Sequence, residues 1–339
     1  MADQKMDSQY ITWCHFHEWC RRICYAAGFE NEYRKVLGDA QDINAILEEG
    51  LVNLVNKAID QEQKQPLEER QIPNYDAIIV DEGQDFNLYW WNTLRKVRRQ
   101  GGEMLLVADE TQDLFERSKY WTEESMKGAG FPGGDWSRLQ TSYRMPPTLI
   151  QHLRQYANKY LPNASINLPE AENSELNLWP VQMRWIQVDS NFTNSAKICT
   201  QAVLDMPLWA ESETRAYPDI TLLVQTHNFG LLCVELLAEK NIQTAHVFGE
   251  TWEKQKLRKV GFFMGDARVK ASTIESFKGW ESCCLVICIN SADSPKDLAA
   301  IYVALSRLKR YTRKSYLTVI CSAPRLEEFG KTWPTFEQR

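Results

Sequence analysis

The alternation of short apolar runs with amphipathic stretches constrains the fold of this chain more than any other feature. The stretches at 88–100 and 229–241 have the periodicity of helices that bury one face. Strands that alternate with helices favour parallel sheets covered on both faces, so the predicted fold class is α/β. Six apolar runs predict buried strands: 77–80, 103–109, 220–226, 269–274, 283–289 and 316–322.

Charge and cysteine content narrow the class of protein. With a net charge of −6, a uniformly basic nucleic-acid-binding surface is excluded, although local basic patches are not. No apolar run reaches the roughly 20 residues that span a bilayer, and residues 1–10 carry no apolar signal segment. We therefore expect a cytoplasmic protein without membrane contact, in which the nine cysteines are reduced and mostly buried.

A metal site is the alternative interpretation of one group of thiols and imidazoles. Zinc sites usually contain two separated ligand pairs, and no second pair follows this group, so the spacing favours buried thiols. The group comprises Cys14, His15, His17, Cys20 and Cys24.

An acidic turn follows the first strong strand, in the stretch "YDAIIVDEGQDF" (75–86). The strand is expected to place Asp81 and Glu82 at its carboxyl end, where active sites of parallel sheets gather. Magnesium prefers oxygen ligands and is commonly held by one carboxylate together with substrate phosphates. A neighbouring carboxylate can then orient and deprotonate an attacking water. The alternative is a strand end with solvated acids.

Later polar residues suit the same chemistry. Gln112 follows the next strand in "LLVADETQDLF" (105–115), where its amide can hydrogen-bond a terminal phosphate or the attacking water. Arg144 and Arg307 lie in the stretches 139–150 and 299–311. A guanidinium is always charged and bridges phosphate oxygens, so it can stabilise charge on a transferred phosphoryl group.

Together these stretches resemble the UvrD/Rep family of superfamily 1 DNA helicases, in the family's order and over about residues 11 to 321. The N-terminal one resembles motif Ib, and the others resemble motifs II to VI in turn. The six stretches are "HFHEWCRR" (15–22), "VDEGQDF" (80–86), "VADETQDLF" (107–115), "SYRMPPTLI" (142–150), "TIESFKGWES" (273–282) and "YVALSRLKR" (302–310).

The resemblance implies a role for each matching position. It implies ATP and Mg²⁺ as cofactors and single-stranded DNA as partner, with translocation in the 3′-to-5′ direction. Asp81 would hold magnesium, and Glu82 would be the general base. The remaining implied catalytic residues are Gln112, which would sense the γ-phosphate, and Arg144 and Arg307, which would reach it. The implied nucleotide-binding residues are Gln84, Gly279 and Glu281, and the implied single-strand-binding residues are His17, Phe115, Thr273 and Ser276.

Some positions depart from the family pattern. Glu275 stands where the family usually has histidine, and Arg117 stands where a base-stacking tryptophan is usual. Phe115, Tyr120 and Trp121 are therefore candidates for base stacking, with core packing as the alternative.

The phosphate loop GxxxxGK[ST] of this family is absent from the sequence. The tail "GKT" (330–332) has Arg325 where the pattern needs glycine, so we interpret it as a chance match. The backbone N–H groups and lysine of that loop cradle the phosphates, so this chain alone is not expected to hydrolyse ATP. The chain would then be a truncated or split helicase whose N-terminal piece is another polypeptide or was lost. The alternatives are a catalytically inactive helicase-like subunit that binds nucleic acid or a partner protein, and a different activity on the same scaffold.

The predicted architecture is two RecA-like domains of the P-loop NTPase type, each with a parallel sheet. Residues 1–136 would form the first, N-terminally incomplete domain, and residues 137–339 would form the second. Since the first sheet would lack a strand, an exposed edge or apolar face is expected there.

Overall fold

The computed structural model describes most of the chain, in two compact units. The first unit contains the described residues up to 131, and the second contains those from 137 onwards. The described residues are 11–38, 45–108, 129–131, 137, 139, 141–161, 170–171, 179–209 and 219–339. No helix within these ranges combines the length and apolar composition needed to cross a membrane.

The first unit packs helices against a pair of parallel strands. Helix α1 packs on α3, and α4 packs on β2. Its helices are α1 (Phe16–Ala26), α2 (Glu30–Gly38), α3 (Leu51–Glu62), which continues a π-helical turn (Ile46–Gly50), and α4 (Leu88–Arg95). Its strands are β1 (Tyr75–Val80) and β2 (Arg98–Leu106), and its 3₁₀ turns are Leu67–Glu69 and Gly83–Asp85.

One prediction in this unit is wrong at its end. The helix expected over 88–100 stops at Arg95, and residues from Arg98 onwards form β2. The amide of Val97 donates to the carbonyl of Leu94, which closes the helix with a turn. The carbonyl of Val97 then accepts the amide of Tyr75, so pairing with β1 replaces the helical hydrogen bonds.

The two-stranded sheet has one covered and one open face. Val80 and Leu106 are buried. Ile79 lies beside Leu105 in the parallel register, and these side chains are 70% and 53% exposed. Val107, one residue beyond β2, is also exposed. These described residues form an exposed apolar surface, whereas parallel sheets are normally covered on both faces.

The second unit is built around a larger parallel sheet. Its helices are α5 (Pro147–Tyr160), α6 (Phe192–Trp209), α7 (His227–Glu239), α8 (Trp252–Val260), α9 (Pro295–Leu305) and α10 (Glu327–Gly330). Its strands are β3 (Thr141–Ser142), β4 (Glu170–Ala171), β5 (Val181–Gln187), β6 (Ile220–Val224), β7 (Thr244–His246), β8 (Val269–Thr273), β9 (Cys284–Ile289), β10 (Ser315–Cys321) and β11 (Thr335–Gln338). Short 3₁₀ turns span Glu275–Phe277 and Pro324–Leu326.

Among the described residues, seven strands form one all-parallel sheet in the order β11-β5-β10-β9-β6-β8-β7. β9 lies at its centre, and each of its residues is buried. Leu285 and Ile287 belong to the core on one face, whereas Val286 and Cys288 belong to the core on the other. Alternate residues of a strand point to opposite faces, so a strand buried on both faces is apolar throughout. The α/β class with parallel strands is therefore confirmed.

The cysteines behave as buried thiols rather than as cross-links. None of the nine is in a disulfide, and seven are buried, whereas Cys14 is exposed and Cys283 is half-buried. Burial raises the pKa of the Cys24 thiol to about 11, so it remains protonated at neutral pH. The described residues contain no group of three or more His, Cys, Asp or Glu that could hold a metal ion.

Strand β5 was not anticipated from the sequence, because its polar residues interrupt the apolar pattern of "VQMRWIQ". Arg184 is buried, and its guanidinium donates to both carboxylate oxygens of Glu337 on the edge strand β11, at 2.5 and 2.7 Å. That hydrogen-bonded pairing lowers the pKa of Glu337. A buried charge is tolerated when it is paired in this way.

We expect Glu337→Gln to lower the free energy of unfolding of the second unit at neutral pH by about 2 kcal/mol. The variant leaves the buried guanidinium of Arg184 without its carboxylate. The pKa of Glu337 is lower in the folded state, so its ionised carboxylate stabilises the folded state fully above the unfolded pKa of about 4.3. This stabilisation is lost as pH falls through the folded pKa. Urea unfolding at neutral and acid pH should therefore show a difference that closes on acidification.

Glu328→Gln is the matched control for this experiment. Glu328 is an exposed acid that pairs with Lys331 on the surface, so its loss should leave the unfolding free energy unchanged. Equal effects of the two substitutions would contradict the importance of the buried pair.

Candidate functional site

The acidic turn after β1 is held tightly against the end of β2. The amide of Gly83 donates to the carbonyl of Val107 at 2.7 Å, and the amide of Val107 donates to that of Val80 at 2.9 Å. A Cβ atom on Gly83 would lie 2.6 Å from Cδ1 of Leu106 and 2.9 Å from the Val107 oxygen. The glycine of "DEGQD" is therefore required by this close approach.

Glu82 has a strained backbone at the head of this turn. Its φ of 54° and ψ of 43° place it in the left-handed region, where an L-residue other than glycine is disfavoured by roughly 1–2 kcal/mol. Such conformations cluster at functional sites because the surrounding structure holds them. Here the hydrogen bond from Gly83 to Val107, just beyond β2, supplies that constraint.

The two acids of the turn have different surroundings. Asp81 is exposed, and its Oδ1 accepts the amide of Glu82 at 2.9 Å. Glu82 is half-buried, and its Oε2 accepts the side-chain amide of the buried Gln84 at 2.6 Å. The turn thus presents one carboxylate to solvent and orients the second. An exposed carboxylate retains acceptor capacity for a hard divalent cation, so Asp81 fits a magnesium ligand.

In the second unit, the segments that carry the two predicted arginines are neighbours. The amide of Arg310 donates to the carbonyl of Arg144 at 2.6 Å. The guanidinium of Arg310 lies over the Trp179 ring at 4.3 Å and 5.9 Å from the centre of the Tyr143 ring. These contacts bring residues before α5 and after α9 together.

The two arginines differ in exposure. Arg144 is exposed, as expected for a residue that binds phosphate. Arg307 is only 2% exposed, and its guanidinium donates to the Val303 carbonyl at 3.2 Å and to Oγ of Ser306 at 3.1 Å. These two bonds join the side chain of Arg307 to the end of α9.

The motif V residues form a local turn after β8. Oγ1 of the buried Thr273 donates to Oγ of Ser276 at 2.9 Å and accepts the Ser276 amide at 3.2 Å. Gly279 is exposed and has a φ of +84°, and a Cβ atom there would meet nothing within 4 Å, so only the backbone conformation favours glycine. Glu281 is half-buried and pairs with Lys309 at 3.2 Å. Thr273 and Ser276 are both predicted to bind the single strand. Thr273 is buried, whereas Ser276 is half-buried and has accessible surface.

His17 packs within an aromatic cluster of the first unit. Its Nε2 is 3.1 Å from the carbonyl oxygen of Leu47, and its ring meets that of Trp90 edge-on at 5.0 Å. Phe16 stacks on the same Trp90 ring at 4.6 Å. These contacts give His17 a packing role, and its role in strand binding stays a prediction.

Several predicted site residues lie outside the described residues. They are Gln112, Phe115, Tyr120 and Trp121. The "GKT" tail is described, and it begins at the last residue of α10. Gly330 packs against the Trp185 ring, and Lys331 pairs with Glu327 and Glu328. The lysine of this tail therefore forms ion pairs with acids of α10.

Sequence reasoning missed Gln225, which joins two strand ends at the carboxyl edge of the large sheet. Its Oε1 accepts the amides of Asn290 and Ser291 at 2.7 and 2.9 Å, and its Nε2 donates to the Ser291 carbonyl at 2.7 Å. These three bonds fix the loop after β9 against the end of β6. A polar residue directly after a buried strand was the available signal.

The fold and the acidic turn define an α/β protein with parallel sheets and carboxylates at a strand end. A scan against protein-family models and a search of curated proteins found no match to the chain. Its function therefore has to be argued from the geometry and from the order of the motifs.

We expect Glu82→Gly to be more stable than Glu82→Ala by about 1 kcal/mol. Both variants lack the carboxylate, so their difference isolates the left-handed backbone. Urea unfolding of the two variants measures it.

The same pair of substitutions at Glu103 is the control, because that exposed residue lies in the extended strand β2. There glycine should be the less stable of the two, since it loses more backbone freedom on folding. A glycine penalty at both positions would contradict the strain at Glu82.

Proposed function

We propose that this chain is the core of a UvrD/Rep-like superfamily 1 DNA helicase, an ATP-dependent translocase on single-stranded DNA. The observation that carries the proposal is the acidic turn after β1. It combines an exposed Asp81, a strained Glu82 oriented by Gln84, and a glycine that the packing requires. A strand end that served only as a solvated loop would have no need of such strain.

Each residue of the turn has a defined task in this proposal. Asp81 would hold the magnesium ion, which when bound neutralises charge on the nucleotide phosphates. Glu82 would take a proton from the attacking water, and the amide of Gln84 keeps its carboxylate in one orientation. Arg144 and Arg307 would stabilise charge on the phosphoryl group, as the resemblance implies.

The phosphate loop is proposed to come from polypeptide outside this sequence. The sequence contains no GxxxxGK[ST] pattern, and a triphosphate site without those backbone donors binds weakly. The open face of the first unit, with Ile79, Leu105 and Val107 exposed, supports a further polypeptide that packs there. Burial of such a face would also complete the coverage that parallel strands require.

A second candidate function is a helicase-like subunit that does not hydrolyse ATP. The burial of Arg307 favours it, because a guanidinium bonded to Val303 and Ser306 must change rotamer before it can reach a phosphate. In this alternative the chain still binds nucleic acid or a partner protein, and Glu82 has no catalytic task.

The test is ATP hydrolysis by the purified chain and by the chain together with the polypeptide that supplies the phosphate loop, with and without single-stranded DNA. We expect no turnover by the chain alone. The assembled system should show DNA-stimulated turnover that Glu82→Gln reduces about 10²- to 10⁴-fold, since loss of a general base has effects of this size.

Glu103→Gln is the matched control, because Glu103 is an exposed acid of the neighbouring strand β2. It should leave turnover unchanged. An unaltered rate in Glu82→Gln would overturn the assignment of the turn as the catalytic acid pair, and DNA binding without turnover in every assembly would favour the inactive subunit.

A further inference from the structure

Helix α8 in the second unit has the opposite orientation to that of an ordinary surface helix. A surface helix normally turns its apolar residues inward and its polar residues outward. No residue of α8 is buried, and its hydrogen bonds to the unit come from polar side chains. The side-chain amide of Gln255 donates to the Gly249 carbonyl at 2.9 Å, and the guanidinium of Arg258 donates to the Phe248 carbonyl and meets Nδ1 of His246 at 3.2 Å.

The apolar residues of this helix are directed to solvent. Trp252, Leu257 and Val260 are 65%, 75% and 81% exposed, and Phe263 just beyond the helix is 62% exposed. Isolated exposed apolar residues are common, whereas four large exposed apolar side chains within twelve residues indicate a binding surface.

Basic residues accompany this apolar surface. The helix contains Lys254, Lys256, Arg258 and Lys259 against the single acid Glu253, a local charge of +3 in a chain of −6. Nζ of Lys256 lies 5.0 Å from the centre of the Trp252 ring, so an ammonium accompanies the exposed indole. Lys259 is also exposed. Aromatic rings with neighbouring cations are the combination that binds bases and phosphates of a single strand.

The helix lies near the predicted strand-binding turn. The amide of Val247 donates to the carbonyl of Ala271 on β8 at 3.3 Å. The next residue, Phe248, accepts the guanidinium of Arg258 on α8 through its carbonyl oxygen. The ring of His227 also meets that of Phe248 edge-on at 6.0 Å, shortly before α8. The surface of α8 is thus close to the end of β8, within the same unit.

We propose that α8 is a second contact for single-stranded DNA, in which a base stacks on Trp252 and Lys256 and Lys259 bind backbone phosphates. This inference rests on the proposed function and extends its strand path beyond the motifs. A second copy of the chain would bring the lysines of two such helices together, so charge disfavours it. A protein partner or an anionic membrane would also contact Leu257 and Val260. Substitution of Leu257 therefore distinguishes these partners from single-stranded DNA.

The test is fluorescence anisotropy of a labelled oligothymidylate with the full chain and its variants. Trp252→Ala should weaken binding about tenfold, because stacking of one base contributes roughly 1–3 kcal/mol. Lys256→Glu should weaken it by a similar factor and should reduce the dependence of log K on log salt, since at least one phosphate contact is lost.

Two control variants distinguish nucleic acid from other partners. Leu257→Ala removes an aliphatic side chain from the same helix and should leave oligothymidylate binding unchanged. Lys240→Glu alters an exposed lysine that follows α7 and should also leave it unchanged. Because all these side chains are exposed, urea unfolding should confirm that the variants fold equally well.

Other outcomes overturn the inference. If Trp252→Ala and Lys256→Glu both bind oligothymidylate with wild-type affinity, α8 does not contact single-stranded DNA. Binding to phosphatidylcholine–phosphatidylglycerol vesicles, or self-association, that Leu257→Ala abolishes would assign α8 to a membrane or to a second copy. If Glu82-dependent turnover persists in these cases, only the role of α8 fails. If the wild-type chain binds no oligothymidylate, the inference and the strand-binding part of the proposed function both fail.

Discussion

Burial of parallel strands on both faces is the constraint on which the second unit depends. The central strand β9 places alternate residues in two cores, with Leu285 and Ile287 on one side and Val286 on the other. Such a strand cannot slip by one residue without loss of packing on both faces. Because its neighbours run in the same direction, their polar carboxyl ends meet at one edge, where Gln225 and Thr273 lie.

In the first unit, the requirement that parallel strands be buried on both faces is only partly satisfied. Its two strands bury Val80 and Leu106 but leave Ile79 and Leu105 in solvent. The unit nonetheless holds a strained residue, Glu82, next to backbone hydrogen bonds that join the turn to the end of β2. Strain of this kind lowers stability and is retained where geometry matters more than stability. The exposed face supports the proposal that further polypeptide packs on this unit.

Exposed apolar surface occurs in both units but in different chemical settings. On the first unit it is an aliphatic sheet face, which suits a protein cover. On α8 it includes an indole ring with a lysine ammonium 5.0 Å from its centre, a combination that supports the proposed binding of bases and phosphates. Charge and side-chain type, more than exposed area, separate the two surfaces.

The sequence by itself determined where most strands and the acidic turn lie, because both depend on local signals. Apolar runs of strand length predicted β1, the second half of β2, β6, β8, β9 and β10, and the polar residues after β1 predicted the place of Asp81 and Glu82. Only the tertiary structure decided what depends on residues distant in the chain. Strand β5 escaped prediction because Arg184 finds its partner, Glu337, far along the sequence, and the outward direction of Trp252 is set by neighbouring elements. Local pattern therefore specified which elements form, and non-local packing specified which side chains remain available for binding.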